Sequence, residues 1–405
     1  MKLLIILLVT MATSVKKSTV KKKSRKAEKT VDDLLFDFIS NIKGLSDVMK
    51  KRIHQILIKE GIIDPRGIKA LTQKELQALP GISESTAKTL LEEAEKKYSS
   101  AIFMSLEERE KFEREREVIS TGSQALNELL GGGIPTGTFV ELYGAPQSGK
   151  SQLCYSLVAN VLLPRKFGGL EAGAIWLDTE GSFNSKRLKQ ILRYYEYSFN
   201  MTEPIKTADF KVATTRTLTQ IEMALKETGR IIPLHNIKLL IIDSLMDPFR
   251  AEYGGLGDLA ERQKHLNRIL HVLMRLAEAY DVAVVYTNQV MANPDPFATA
   301  LDKVQPVGGF VLGHASDIRI WLRRATSKIK SQYNAQNARR AMITDCAWLP
   351  MSECVFSLGP FGVCDVQDEA KHQELAIKLS LMDNNTPAIE DEGKTRFQDL
   401  EGVSQ

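Results

Sequence analysis

Residues Gly144 to Ser151 read Gly-Ala-Pro-Gln-Ser-Gly-Lys-Ser, the spacing GxxxxGK[ST], between an apolar run at 138–143 and a helical pattern at 151–163. Glycines at these places let backbone N–H groups turn inward around an anion, and the helix N-terminus that follows adds a favourable dipole. The loop Gly144, Ala145, Pro146, Gln147, Ser148, Gly149, Lys150 and Ser151, with Gln152 behind it, is therefore expected to hold the phosphates of a nucleoside triphosphate. Lys150 would neutralise the β- and γ-phosphates, and Ser151 would ligate Mg2+. The strand-before, helix-after setting separates this spacing from a plain glycine-rich turn.

Other strand-like runs also end in groups suited to phosphate chemistry. Leu239-Leu240-Ile241-Ile242-Asp243-Ser244 is apolar until Asp243, the form expected when a buried strand delivers a carboxylate to the Mg2+ shell. The alternative for such an Asp is to cap the next helix. Leu177-Asp178-Thr179-Glu180-Gly181-Ser182-Phe183 supplies a second acidic strand end. Hydrolysis needs a group that orients and deprotonates the attacking water; Glu180 is the candidate and Asp178 its competitor. Thr287-Asn288-Gln289 ends another run with an amide that could touch the γ-phosphate, or could instead satisfy loop backbone.

These side chains need a common frame. Strand-like runs at 138–143, 174–177, 238–243 and 282–287 alternate with helical patterns at 185–195, 217–228 and 259–280. That alternation predicts an α/β fold, a mostly parallel sheet flanked by helices. Short segments near 318–322, 341–344 and 355–358 would extend the sheet. Residues 31–98 read as a small N-terminal all-α domain. Within it, Leu79-Pro80-Gly81-Ile82-Ser83 resembles the turn of a helix-hairpin-helix, which could offer the Gly81 backbone to a DNA phosphate or simply separate two packed helices. Residues 99–117 are expected to be a linker, 118–366 the core, and 367–405 a flexible C-terminal tail.

At 405 residues the chain exceeds one typical domain. With 43% hydrophobic and 26% charged residues it has an ordinary globular composition, which names no function. The net charge of +4 conceals an asymmetry: residues 1–30 carry nine Lys/Arg against Glu28 alone, whereas residues 31–405 carry 45 basic against 49 acidic residues. The excess positive charge thus belongs to a disordered basic tail, which could attract nucleic acid, act as an import signal or simply be solvated. Cys154, Cys346, Cys354 and Cys364 form no CxxC pair, which argues against a zinc site or disulfide framework and suits a reducing compartment. The apolar run at 3–9 is too short to span a bilayer and reads as an extension upstream of an alternative start at Met11, so no membrane partner is expected.

Further short motifs follow one another in a fixed order: Ser120-Thr121-Gly122-Ser123, Leu129-Leu130-Gly131-Gly132-Gly133-Ile134, the phosphate loop, Asp178-Thr179-Glu180-Gly181, Phe249-Arg250-Ala251-Glu252-Tyr253, Leu259-Ala260-Glu261-Arg262-Gln263, Thr287-Asn288-Gln289-Val290, Gly308-Gly309 and His314-Ala315-Ser316. Together they resemble the RecA-like strand-exchange recombinases, most closely the archaeal RadA group and its eukaryotic relatives, over about residues 40–366. The resemblance implies a RecA-like P-loop ATPase core in which Glu180 activates water, Arg187 stacks on adenine, and Gln289 with His314 senses the γ-phosphate. It implies that Asp345 and Pro350, in Asp-Cys-Ala-Trp-Leu-Pro, belong to a cap that one subunit lays over its neighbour's ATP. Segments 252–262 and 291–307, after the third and fourth core strands, would be DNA-binding loops, with Arg250 and Arg262 as basic positions of the first. Phe103-Met104-Ser105-Leu106 sits where the family carries the polymerisation motif Phe-x-x-Ala, whose aromatic ring, here Phe103, inserts into an adjacent subunit.

The implied activity is that of a DNA-dependent ATPase that forms filaments on single-stranded DNA and exchanges strands with homologous duplex in recombination and double-strand break repair. Its cofactors would be ATP and Mg2+. Its partners would be single- and double-stranded DNA, further copies of itself in a filament or ring, and recombination mediators. An archaeal source would make it cytoplasmic and chromosome-associated, and a eukaryotic one nuclear. Four departures stand out: Ala145-Pro146-Gln147 in the phosphate loop, Leu256 where the family has Arg, Leu106 for a small residue, and a lengthened 324–339 segment with Lys328 and Lys330. The first two favour the alternative of an auxiliary paralogue that binds ATP and DNA and assists another recombinase without exchanging strands itself, whereas the complete cap, loop and hairpin set opposes it.

Overall fold

The computed structural model describes residues 31–98, 103–292 and 304–384. The basic tail, the apolar run at 3–9, Met11, linker residues 99–102, residues 293–303 of the second expected loop and residues 385–405 lie outside the described residues.

Helices α1 (Val31–Ser40), α2 (Asp47–Lys59), α3 (Arg66–Lys69), α4 (Gln73–Gln77) and α5 (Glu84–Tyr98) turn their apolar positions onto one another. Leu35, Ile39, Ile53, Leu57, Leu76 and Leu90 form a buried cluster of their own. Side-chain caps set the helix starts: Ser46 on α2, and a Thr72–Glu75 capping box on α4. This unit meets the core through Arg275, whose Nε donates to the Ala70 carbonyl at 2.8 Å, and through a Lys226–Glu60 ion pair at 3.1 Å.

Helix α6 (Leu106–Arg114) connects the two parts and buries no residue. Its Ser105–Glu108 capping box and i,i+4 pairs such as Arg109–Glu113 sustain a largely polar helix whose only apolar side chains are Leu106 and the half-buried Phe112.

The core opens with β1 (Val118–Ile119), α7 (Gln124–Leu129) and β2 (Ile134–Pro135), a small ribbon. It continues with β3 (Phe139–Tyr143), α8 (Lys150–Leu162), β4 (Gly173–Asp178), α9 (Ser185–Ser198), β5 (Phe210–Thr214), α10 (Leu218–Leu234) and β6 (Ile237–Asp243). Then come α11 (Asp247–Glu252), α12 (Leu259–Tyr280), β7 (Ala283–Asn288), β8 (Val290–Ala292), β9 (Val304–Pro306), α13 (Gly309–Ala315) and β10 (Ile318–Arg324). The chain ends in α14 (Ser327–Tyr333), β11 (Ala338–Cys346), β12 (Glu353–Gly359), β13 (Gly362–Cys364) and α15 (Glu369–Asn384).

Nine strands make one sheet in the order β13-β12-β11-β10-β3-β7-β6-β4-β5. From β10 to β5 the pairings are parallel, and from β10 to β13 they are antiparallel. The α/β class, a mostly parallel sheet covered by helices, is as expected. Strand β6 explains the continuous apolar run: Leu239 and Ile241 face the cluster under α8 and α9, while Leu240 and Ile242 face the one under α10 and α12.

Several expectations need correction. Strand β5 was not expected; it is the sheet edge, half solvated and interrupted by Lys211, so it lacks the apolar signal of a buried strand. Because β5 intervenes, β6 and β7 are the fourth and fifth strands of the nine-stranded sheet in chain order rather than the third and fourth. Residues 369–384 form a helix, not a flexible tail, held by buried Glu369 and His372. The first expected DNA loop, 252–262, is largely helical: Arg250 lies on α11, Leu256–Asp258 is a 3-10 turn, and Arg262 is already in the first turns of α12. The lengthened 324–339 segment is α14, capped by Thr326.

Candidate nucleotide and nucleic-acid site

Parallel strands place all their C-terminal ends on one edge, and register decides which side chains meet there. Asp178 of β4 pairs with Asp243 of β6, and Tyr143 of β3 with Asn288 of β7. The phosphate loop leaves β3 in the middle of this row. Gly149 sits at φ +109°, in the left-handed region, and caps α8 with no side-chain bond; α8 has no acid in its first turn. With no side-chain cap on α8, its first N–H groups remain as donors for an anion held by the loop. Lys150 Nζ donates to the Gly144 carbonyl at 3.0 Å and the Ala145 carbonyl at 3.3 Å, across the mouth of the loop. Burial lowers its pKa, while Asp243 and Glu180 pull it back up.

Asp243 is 2% exposed. Its Oδ1 accepts from the Thr287 hydroxyl, and Oδ2 is buried with no hydrogen-bond partner. Burial raises the Asp243 carboxyl above the ordinary carboxylate value, against the lowering effect of the Thr287 and nearby Ser151 hydroxyls. A buried carboxylate oxygen beside a serine hydroxyl, at the mouth of a phosphate loop, fits Mg2+. Among the described residues no cluster of three or more His, Cys, Asp or Glu forms, so a cation here would lean on Ser151, Asp243 and the phosphates themselves.

The strand-end acids divide by environment. Asp178 is buried and committed to its turn, Oδ1 accepting from the Ser182 N–H at 3.0 Å and Oδ2 from the Phe183 N–H at 3.2 Å. Glu180 is exposed, and its Oε1 accepts from the Ser244 hydroxyl at 2.8 Å, which holds it over the end of β6. Ser244 is in turn fixed by Thr179, whose Oγ1 donates to the Ser244 carbonyl at 2.7 Å. Sequence reading did not find Ser244 or Thr287 as partners; their only signal was a place at a strand end, Ser244 after Asp243 and Thr287 before Asn288 and Gln289.

Gln289 accepts a hydrogen bond from Arg250 Nη1 at 2.7 Å, so the candidate phosphate sensor touches the candidate DNA residue. Asn288 is structural: its Nδ2 donates to buried Glu141 at 2.7 Å and to the Val307 carbonyl at 2.6 Å, pinning the end of the β8–β9 ribbon. Arg319 completes this buried cluster with a 2.6 Å bond to Glu141. His314 is exposed on α13. Arg187 lies on α9, its Nε donating to Gln152 Oε1 at 2.8 Å. Gln147, next to Pro146, accepts from Arg324.

Other candidates lie apart from this group. Asp345 and Pro350 are exposed on and after β11, and among the described residues no hydrogen bond or ion pair ties them to the phosphate loop. Phe103 is 91% exposed and Leu106 71%. Gly81 is exposed in the turn before α5, with Arg52 against it: a Cβ on Gly81 would lie 3.1 Å from Arg52 Nη2. Sequence reading did not single out Arg52.

The Rad51 family model matches residues 113–366, more than half of the chain. The chain belongs to the Rad51 family. Among curated Rad51-family relatives, the DNA repair and recombination protein RadA of Aeropyrum pernix is 38% identical over 315 residues, which cover 77% of this chain and 92% of that protein. The RadA proteins of Metallosphaera sedula (37% over 335 residues, 82% and 97%) and Cenarchaeum symbiosum (34% over 371 residues, 90% and 88%) are similar over still more of the chain. The latter alignments leave room for the N-terminal helices as well as the Rad51 core. Among the described residues no helix is long and apolar enough to cross a membrane.

The orphaned oxygen of Asp243 has a measurable consequence in this Rad51-family fold. A carboxyl whose folded-state pKa is raised opposes folding once ionised: the penalty is absent below the ordinary Asp range and is complete above the raised value. Asp243→Asn is therefore expected to raise the thermal midpoint of the nucleotide-free protein by about 2 °C near pH 8, with no gain near pH 3–4. Calorimetry across that range checks it; equal midpoints at pH 8 would contradict the orphaned charge.

Proposed function

We propose that this chain is an ATP- and Mg2+-dependent DNA recombinase that assembles on single-stranded DNA and exchanges it with homologous duplex. The observation carrying the reading is the convergence of Lys150, Ser151, the unpartnered oxygen of Asp243 and the Ser244-held Glu180 at one sheet edge. A bound Mg2+ would neutralise phosphate charge next to Ser151 and Asp243. The bare N–H groups of α8 cradle the phosphates, Lys150 meets the charge that builds on the transferred group, and Glu180 takes the proton of the attacking water. Gln289 contacts the γ-phosphate, and its bond to Arg250 carries the presence or loss of that phosphate to the first DNA segment.

Arg250, Arg262 and the β8–β9 ribbon would grip DNA mainly through phosphates, leaving sequence discrimination to base pairing. Gly81 with Arg52 adds a phosphate contact from the N-terminal helices. Asp345 and Pro350 would cover the nucleotide of an adjacent copy, and Phe103 with Leu106 would join copies together, so that ATP turnover and assembly depend on each other. The likeness to archaeal RadA proteins supports this over an auxiliary role without strand exchange. Pro146 removes one loop N–H, yet Gly149, Lys150 and the α8 N-terminus remain as donors.

The deciding experiment pairs electron microscopy on single-stranded DNA, with a non-hydrolysable ATP analogue, with a joint-molecule assay. Filaments and joint molecules are expected. Filaments without joint molecules would point to the auxiliary role, and no DNA binding at all would overturn the reading.

A further inference from the structure

Helix α15 begins just after residue 366, the last residue of the family match, and it packs against the 359–361 turn whose carbonyls accept from Arg187. Glu369, 3% exposed, accepts from the Asn337 backbone N–H at 3.2 Å, from the Asn337 side-chain amide at 3.2 Å and from the Ser357 hydroxyl. One turn later His372 is 6% exposed. Its Nε2 lies 2.8 Å from the Tyr194 hydroxyl, and its ring packs 4.6 Å from the Tyr194 ring and 6.0 Å from Phe361, which themselves stack at 4.6 Å. The imidazole also presses on Gly359, where a Cβ would stand 2.8 Å from Nδ1.

The turn beneath His372 is the one that holds Arg187. Arg187 Nη2 donates to the Gly359 carbonyl at 3.3 Å and Nη1 to the Pro360 carbonyl, while Nε reaches Gln152 in the first turn of α8. These acceptors are neutral, so geometry rather than an ion pair sets the guanidinium plane. Burial keeps the His372 imidazole below its ordinary pKa, which suits a neutral ring packed against two aromatics.

We propose that α15 is a structural part of the nucleotide site, with His372 as a positioning residue that fixes Arg187 against the base through the Gly359, Pro360 and Phe361 turn. The proposal rests on the nucleotide reading above and on Arg187 facing the base. A guanidinium that stacks on a base works only if its plane is fixed. Loosening the turn weakens that contact in ground and transition states alike, while Lys150, Ser151 and Asp243 keep their places, so KM rises and kcat does not change.

Steady-state ATP hydrolysis with single-stranded DNA tests this on the full chain. His372→Ala is expected to raise KM for ATP about fivefold at unchanged kcat, the size of a lost hydrogen bond with its packing. His372→Gln, whose amide can still reach the Tyr194 hydroxyl, is expected to stay within about twofold of the parent. Tyr194→Phe removes only that hydroxyl and should raise KM about threefold, which keeps the test alive if His372→Ala fails to fold. An unchanged KM in the folded variants overturns the proposal. So does a joint fall in kcat and melting temperature that Gln does not restore, since that marks plain packing. A parent protein with no ATP hydrolysis would sink the nucleotide reading itself, and that outcome shows in the parent alone.

Discussion

Lys150→Ala is expected to lower ATP turnover by about a thousandfold and to remove ATP-supported strand exchange, with the fold retained. Removing one preorganised charge donor from developing transition-state charge costs on the order of 10²–10³ in rate, and a lysine facing the phosphates belongs to that class. The Lys150 ammonium is half-buried and already under the pull of Asp243 and Glu180, whereas the nearby Arg324 is engaged with Gln147. What the fold loses is smaller. The two hydrogen bonds of Nζ go to neutral backbone carbonyls, a part-buried one of Gly144 and an exposed one of Ala145, and each contributes only about 1 kcal/mol. Circular dichroism and melting should therefore match the parent while single-turnover hydrolysis collapses. Strand exchange at the parental rate by purified Lys150→Ala would mean that the phosphate loop does not serve the reaction.

What could be read from the sequence was set by burial. Strand β6 is 0–2% exposed from Ile237 to Asp243 apart from Lys238, so its apolar run and terminal acid were plain. Helix α12 runs from Leu259 to Tyr280, the bounds its periodicity predicts, because Leu266, Ile269, Leu270, Leu273, Leu276, Ala277 and Tyr280 make one unbroken buried stripe. Strand β5 is half solvated and reads like loop. Helix α15 is anchored by Glu369 and His372, two polar residues that leave no apolar stripe to detect, and so it passed for a tail.

The site follows the same rule. Its charged members lie at the ends of legible strands, whereas the bonds that orient them, Ser244 to Glu180, Thr287 to Asp243 and Arg250 to Gln289, join residues 39 or more positions apart. Spacing along the chain carries no trace of such pairs; only the register of β4, β6 and β7 brings them together.

Phe103→Glu is expected to reduce assembly from long filaments to small species. Phe103 is 91% exposed, just before a helix that buries nothing, so the ring does no work for its own chain. Burying a phenylalanine side chain in a neighbour's pocket contributes about 2–3 kcal/mol, and a buried anchor ring of this kind is a typical hot spot. Glutamate forfeits that burial and adds the cost of desolvating a carboxylate, so each subunit contact weakens by about a hundredfold or more. Because a filament multiplies one contact along its length, a loss of that size per contact shortens it severely. Light scattering with ATP analogue and single-stranded DNA reads the effect directly. Its melting curve without nucleotide should be that of the parent, because an exposed ring replaced by an exposed acid changes little in the isolated fold. Filaments of parental length would mean that copies join through another surface, and the exposed Trp348 and Met351 beside Asp345 and Pro350 would then be the next residues to replace.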